Sequence, residues 1–165
     1  MTHDIQRLLC ESEVLKHNLP CENVSFPIQY ECDVLSIKKS GYITEFEVKI
    51  SRSDFLADKK KNKWYLYADP VYNRYKPNYF NYVCPDGLIQ ADEIPPFAGL
   101  IYLVDGDLKE VKKASVIHRF KHDRDKVLSK FLRVMTERAY LGCCRMTYEN
   151  AKIRERNQII THKSL

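Results

Sequence analysis

The sequence of 165 residues is short of glycine and contains no long apolar run. With 5 glycines, 44% hydrophobic residues and 30% charged residues, it is not a collagen-like, low-complexity or disordered chain. Its apolar stretches are only a few residues long, as at 99–104, whereas a membrane-spanning helix needs about 20. The first residues lack the basic start and apolar stretch of a signal peptide. We therefore expect a single globular domain, 1–165, in the cytoplasm and not at a membrane.

The six cysteines include no C-x-x-C pair, the spacing that is typical of cysteine-based zinc sites. In the reducing cytoplasm we expect these thiols to be free and buried. The net charge is +5, from 27 lysines and arginines against 22 acidic residues. This excess is compatible with a polyanionic partner, but it is also an ordinary feature of a soluble surface.

Hydrophobic periodicity predicts an α/β fold with a mixed sheet. A helical pattern is followed by two strands with period-two alternation, which a turn at Gly41 joins as a hairpin. Ser51 and Asp54 form an S-x-x-D capping box directly after the second of these strands. The predicted helices are 4–17, 51–67 and 123–140, the predicted strands are 24–26, 29–37, 42–50, 79–84, 99–104 and 108–116, and 147–165 is a marginal helix or a frayed tail.

Two carboxylates on the predicted hairpin are expected to lie side by side. Asp33 and Glu47 are nearly equidistant from the turn at Gly41, and both faces of these strands are rich enough in apolar residues to be covered. Carboxylates held so close repel each other unless a cation neutralises them. Lys49, two residues beyond Glu47, projects to the same face. Hard oxygen ligands favour Mg²⁺ or Mn²⁺ over zinc.

The spacing of these residues resembles the core of the PD-(D/E)XK nuclease superfamily, in which an Asp on one strand is followed by E-x-K on the next. The wider strings at 31–35 (ECDVL) and 45–58 (EFEVKISRSDFLAD) resemble the MmcB-like branch, where E-V-K precedes S-x-x-D-F at a helix start. The stretches 79–85 and 95–101 also fit, so the resemblance covers about residues 1–118. Cys32 stands where the superfamily name has proline.

The resemblance implies a restriction-endonuclease-like core, a mixed β-sheet flanked by helices, with an added C-terminal helix in the extension 119–165. It also implies a set of site residues and a Mg²⁺ cofactor, with Mn²⁺ as an alternative. The implied metal ligands are Asp33, Glu47 and the backbone carbonyl of Val48, while Lys49 positions and activates the attacking water. Either Glu11 or Glu13, on the first helix, is the additional acidic residue that many members place near the metal.

Basic residues follow the motif on or beside the second predicted helix, with aromatic residues interleaved. We expect Arg52, Lys59, Lys60 and Lys63 to contact the nucleic-acid backbone, since lysine and arginine neutralise phosphates. The alternative is a solvated lysine face whose aromatic neighbours pack in the core.

Taken with the resemblance, these features predict a Mg²⁺-dependent deoxyribonuclease that acts in DNA repair or in the processing of phage or mobile-element DNA. A catalytically silent nucleic-acid-binding module and a partner-activated subunit of a DNA-processing complex are the alternatives. The expected partners are DNA, a second copy of the chain, and a repair or phage protein that docks on the C-terminal helix.

Overall fold

The computed structural model describes residues 2–28, 30–58, 63–69 and 75–142, and the chain divides into two compact units, Met1–Leu128 and Ser129–Leu165. The described part contains a six-stranded sheet and four helices, the last of which, α4, spans 124–142. The other elements in chain order are α1 (Thr2–Leu15), β1 (Leu19–Val24), β2 (Cys32–Ile37), β3 (Ile43–Val48), α2 (Arg52–Asp58), α3 (Lys63–Ala68), β4 (Tyr79–Pro85), β5 (Gly99–Val104) and β6 (Asp107–Lys112).

The strands lie in the sheet in the order in which they occur in the chain. The pairs β1/β2, β2/β3 and β5/β6 are antiparallel, whereas β3/β4 and β4/β5 are parallel. Parallel neighbours need a crossover connection, and α2 and α3 lie within the connection between β3 and β4. The predicted α/β class with a mixed sheet flanked by helices and a C-terminal helix is confirmed.

Each face of the sheet packs against different helices. Ile5 and Leu9 of α1 pack with Val34, Phe46 and Val83 on one face. On the opposite face, residues of α2 and α3 pack with alternating residues of β4 and β5, in a cluster that includes Phe55, Tyr67, Phe80, Tyr82 and Leu100. Successive strand residues point to opposite faces, and helices cover both faces of the sheet. Every residue of the central strand β3 is therefore buried. Charged residues on β3 are therefore inside the protein.

The first strand begins earlier than predicted. The chain enters β1 at Leu19, and Pro20 is part of that strand, so the prediction of a strand at 24–26 is wrong in its bounds. Proline lacks an N–H donor, but β1 is at the edge of the sheet, where one side of the strand has no partner strand. The single helix predicted at 51–67 is described as α2 and α3, and residues 59–62 between them lie outside the described ranges.

The described cysteines are free, and Cys21, Cys32 and Cys84 are buried while Cys10 is partly exposed. Cys143, Cys144 and the predicted tail 147–165 lie outside the described residues. Among the helices that the structure describes, none combines the length and the apolar character that a membrane crossing requires.

Candidate active site

Asp33 and Glu47 lie side by side on β2 and β3. The observed register pairs Val34 with Phe46 and Leu35 with Glu45, and its continuation sets Asp33 opposite Glu47. The Oδ2 atom of Asp33 accepts a hydrogen bond of 2.7 Å from the backbone N–H of Val48. This bond fixes one carboxylate oxygen of Asp33 against the end of the neighbouring strand.

Two lysine ammonium groups hold the Glu47 carboxylate. Lys49 Nζ lies 2.9 Å from Oε1 of Glu47, and Lys63 Nζ lies 2.8 Å from Oε2. Lys49 and Lys63 are each 3% exposed, and Glu47 is 7% exposed. Charges buried to this extent are tolerated only when they are paired, and here both oxygens of one carboxylate are paired.

Lys63 is held by a second carboxylate deeper in the protein. It forms an ion pair with Glu45, which is fully buried. The hydroxyl of Tyr67 donates a 2.6 Å hydrogen bond to Oε2 of the same carboxylate. Lys63 Nζ also lies 5.0 Å from the ring centroid of Phe80, a cation–π distance. Helix α3 thus supplies both the cation and the hydroxyl that satisfy Glu45.

Helix α2 surrounds Lys49 with carboxylates. Lys49 Nζ lies 3.5 Å from Asp54 and 3.5 Å from Asp58. Asp58 is fully buried and accepts a 2.7 Å hydrogen bond from the Tyr82 hydroxyl, which in turn accepts one of 2.6 Å from the indole N–H of Trp64. The helix begins directly after β3 because the Ser51 hydroxyl caps it, accepting a 3.2 Å hydrogen bond from the N–H of Asp54.

Helix α1 contributes Gln6 to the other side of Asp33. The side-chain N–H of Gln6 donates to the backbone oxygen of Asp33 at 3.4 Å, to its Oδ1 atom at 3.5 Å and to Oδ1 of Asn23 at 3.1 Å. Gln6 is 4% exposed. The only sequence signal for it is that a polar residue follows Ile5 on the apolar side of α1, and sequence reasoning missed it.

The ionisation of the cluster follows from burial and from these contacts. Burial and the neighbouring Glu47 carboxylate raise the pKa of Asp33. Burial alone would also raise the pKa of Glu47, but the Lys63 and Lys49 ammonium groups outweigh it and lower the pKa. The pKa of Lys49 is raised because Glu47, Asp58 and Asp54 outweigh the effect of its burial. Lys49 is therefore a fixed positive charge at neutral pH.

The two acidic candidates on α1 do not join this cluster. Glu11 is exposed and forms an ion pair with Arg7 at 3.2 Å. Glu13 is buried, but its Oε2 atom accepts a 2.7 Å hydrogen bond from Ser36, whose side chain points to the opposite face of β2 from that of Asp33. Neither residue is placed beside Asp33 and Glu47, so the expectation of an additional acidic residue at one of these positions is corrected.

The structure also changes the interpretation of two predicted nucleic-acid contacts, Lys63 and Arg52. Lys63 is buried and ion-paired inside the protein, so it does not offer its charge to a nucleic-acid backbone. Arg52 is half exposed, but its guanidinium forms two hydrogen bonds with Glu93, of 2.6 and 2.5 Å. Lys59 and Lys60 lie outside the described residues.

The donor types at Asp33 and Glu47 fit a hard divalent cation. Two carboxylates and the carbonyl of Val48 are oxygen ligands, and Mg²⁺ is commonly bound by one or two protein carboxylates together with water molecules. No cluster of three or more His, Cys, Asp or Glu side chains suited to a metal ion occurs within the described ranges. Because both Glu47 oxygens are ion-paired, a divalent cation bound there would replace one ammonium contact.

Comparison with known proteins shows the fold alone. No family model and no curated protein matches the chain. A solved structure, the SPO1766 protein of unknown function from Silicibacter pomeroyi, is similar with a TM-score of 0.58 and 22% sequence identity, over 81% of this chain and 84% of that chain.

Proposed function

We propose that the protein is a metal-dependent nuclease that hydrolyses phosphodiester bonds in DNA, built on a restriction-endonuclease-like core. The observation that supports this proposal is the cluster of Asp33, Glu47 and Lys49 at the ends of β2 and β3. The resemblance of the sequence to the MmcB-like branch of the PD-(D/E)XK superfamily supports it independently of the geometry. The association with DNA repair or with phage or mobile-element DNA belongs to the same proposal.

The proposed mechanism assigns one task to each residue of the cluster. Asp33 and Glu47, with the Val48 carbonyl, would hold Mg²⁺ or Mn²⁺, and the bound ion would acidify water and stabilise negative charge on phosphate oxygens. The Lys49 ammonium positions the attacking water and adds a preorganised positive charge beside it. Gln6 and the N–H of Val48 orient Asp33, as their hydrogen bonds to it indicate.

A partner-activated or catalytically silent DNA-binding protein is the second candidate. The observation that favours it is that Lys49 and Lys63 occupy both oxygens of Glu47. In this alternative, cleavage requires a partner that draws one ammonium group away, or does not occur at all.

Cleavage assays on single-stranded, duplex and branched DNA test the proposal, with Mg²⁺, Mn²⁺ or EDTA present. We expect cutting by the wild type that EDTA abolishes and that Lys49→Ala reduces at least about 100-fold, the usual cost of removing one preorganised electrostatic group. Lys109→Ala is the matched control, because Lys109 is an exposed lysine on β6. Its rate should equal that of the wild type.

The assay separates the two candidates. Full cleavage by Lys49→Ala, with urea denaturation showing that the variant is folded, would contradict the assignment of Lys49. DNA binding by the wild type without cutting under any metal condition would replace the nuclease by the second candidate.

A further inference from the structure

Both oxygens of the Glu47 carboxylate, a candidate metal ligand, are in contact with lysines of the protein itself. Lys49 Nζ lies 2.9 Å from Oε1, and Lys63 Nζ lies 2.8 Å from Oε2. A divalent cation at either oxygen would lie within a few ångströms of an ammonium group, and like charges this close repel each other strongly at a buried site. Binding of a cation at Glu47 therefore favours the displacement of one of the two lysines.

Lys63 gains nothing by moving away from Glu47. Its ammonium is already in direct contact with the fully buried carboxylate of Glu45, which also accepts the hydrogen bond from Tyr67. It also lies 5.0 Å from the ring centroid of Phe80. A displaced Lys63 would lose one buried ion pair without a closer contact to replace it, which is costly inside a protein.

Lys49 has two other carboxylates within reach. Its Nζ atom lies 3.5 Å from Oδ1 of Asp54 and 3.5 Å from Oδ1 of Asp58. Hydrogen bonds between an ammonium group and a carboxylate are typically about 2.7–2.9 Å long, so either contact can shorten. A small shift of Lys49 therefore exchanges its bond to Glu47 for a bond to one of these aspartates.

Asp58 is the better placed of the two aspartates. Its side chain is fully buried, whereas 49% of the Asp54 side chain is exposed. The Tyr82 hydroxyl donates a 2.7 Å hydrogen bond to Oδ2 of Asp58 and accepts one from Trp64, which fixes the carboxylate while Oδ1 lies beside Lys49. A buried and oriented carboxylate attracts an ammonium group more strongly than a solvated one does.

We propose that Asp58 is a positioning residue that takes Lys49 from Glu47 when a divalent cation binds. Oε1 of Glu47 then becomes available to the cation, and Lys49 stays in the site because Asp58 holds it. The inference rests on the metal site of the proposed function, and it concerns how the protein's own residues make room for the ion.

Calorimetric titration of the full chain with Mn²⁺ tests this role without a cleavage assay. We expect Asp58→Asn to weaken Mn²⁺ binding about tenfold, because Lys49 then keeps its contact with Glu47. Asp54→Asn is the matched control, since it removes the same charge from the same helix at the same 3.5 Å from Lys49. Because Asp54 is exposed, its variant should change the affinity by less than about threefold. Urea denaturation checks that both variants are folded.

A crystal structure of the wild-type protein with Mn²⁺ gives a second measurement that does not depend on a variant. Lys49 Nζ should then lie about 2.8 Å from Oδ1 of Asp58 and no longer contact Glu47, while Lys63 keeps its place. Displacement of Lys63 instead would overturn the assignment of Asp58. So would an unchanged affinity in Asp58→Asn, or equal losses in the two aspartate variants.

These outcomes differ from a failure of the metal site itself. Asp33→Asn should abolish Mn²⁺ binding, because Asp33 is a proposed ligand. If the wild type binds no Mn²⁺ at millimolar concentration, or if Asp33→Asn binds it as the wild type does, the proposed metal site is wrong and this inference is overturned with it. Binding that requires Asp33 but not Asp58 overturns this inference alone.

Discussion

At the residue scale, the candidate site consists of charges that are stable inside the protein only because they are paired. Glu45 and Glu47 project from β3 into the space between the sheet and helices α2 and α3, and Lys63 contacts both carboxylates. The pKa of Lys63 is well above its usual range because the two carboxylates outweigh the effect of its burial. Removing one member of such a group leaves the others as uncompensated buried charges.

The substitution Lys63→Met should therefore lower the free energy of unfolding by about 3–5 kcal/mol. The double variant Glu45→Gln/Lys63→Met should lose less stability than the single variant, because one of the two stranded charges is removed as well. Urea denaturation at pH 7 measures both effects, with the exposed Lys109→Met as control. A single variant as stable as this control would show that the buried ion pairs contribute little.

A substitution of Asp33 should not lower the stability of the protein as the substitution of Lys63 does. The raised pKa of Asp33 means that the folded protein disfavours the charged form, so Asp33→Asn should leave stability unchanged or raise it by up to about 1 kcal/mol. The same variant should lose cleavage if Asp33 binds the metal. Thermal denaturation and the cleavage assay together check this trade-off, and a clear loss of stability would assign Asp33 a structural role instead.

At the element scale, a segment after β6 packs against the hairpin turn and ties it to β4. The backbone N–H of His122 donates to the carbonyl of Gly41 at 2.9 Å, and the Asn78 amide bonds the carbonyls of His118 and Phe120. Gly41 has φ of +83°, a left-handed conformation that glycine adopts without strain. Residues distant in the chain thus contact the turn that joins β2 and β3.

The substitution Gly41→Ala should be more destabilising than the conformation of the turn alone explains. A Cβ atom there would lie 2.9 Å from the carbonyl oxygen of His122, so the segment must shift. Gly106→Ala is the control, because Gly106 has φ of +91° with open space around it. We expect about 1 kcal/mol of destabilisation for the control and clearly more for Gly41→Ala by urea denaturation. Equal losses of stability in the two variants would show that the segment containing His122 shifts at no cost in free energy.

The same segment should make stability depend on pH through His122. Burial and the nearby His118, whose ring centroid is 5.6 Å away, lower the pKa of His122 to about 4. In the unfolded state the side chain of His122 titrates near 6.5. Between these two pKa values the unfolded state therefore binds more protons than the folded state, and stability should fall as the pH is lowered from about 6.5 to 4. His122→Gln should remove on the order of 2 kcal/mol of this dependence, after allowance for solvent screening. Denaturation of the wild type and of His122→Gln at pH 7 and pH 4 measures this difference. Equal losses of stability in the two proteins would contradict the assignment of the pH dependence to His122.

At the scale of the whole molecule, a net charge of +5 gives the chain an electrostatic attraction to polyanions. In the described structure Lys63 is buried, so its charge does not contribute to this attraction, and Arg52 forms an ion pair with Glu93. The remaining predicted contacts are Lys59 and Lys60, next to α2 in the sequence.

DNA binding should therefore depend steeply on salt and respond to these two lysines. Each phosphate contact on duplex DNA contributes a slope of about 0.9 to the fall of log affinity with log salt concentration, so Lys59→Ala/Lys60→Ala should reduce the slope by about 2. Fluorescence anisotropy at salt concentrations from about 50 to about 200 mM measures this slope. Lys109→Ala is the control. An unchanged slope in the double variant would exclude these lysines from the interface.

Much of the fold and the centre of the candidate site follow from local sequence patterns. A continuous apolar run predicts β5 at its observed bounds, Gly99–Val104, and the turn at Gly41 predicts the register that sets Asp33 opposite Glu47. The capping box predicts that a helix begins directly after β3, where Ser51 is observed to cap it. These features depend on residues close together in the chain, and a strand period or a cap needs no knowledge of distant neighbours.

Only the tertiary structure decided which side chains surround that centre. Lys63 looks in the sequence like one of several surface lysines, yet it is buried against Glu45 and Glu47, and Gln6 reaches Asp33 across 27 positions of the chain. The same holds for Glu13, which sequence reasoning considered for the metal site but which points to the opposite face of the sheet. The physical reason is that burial and ion pairing depend on how α1, α2 and α3 pack on the sheet, and packing joins residues whose separation in the sequence leaves no local pattern.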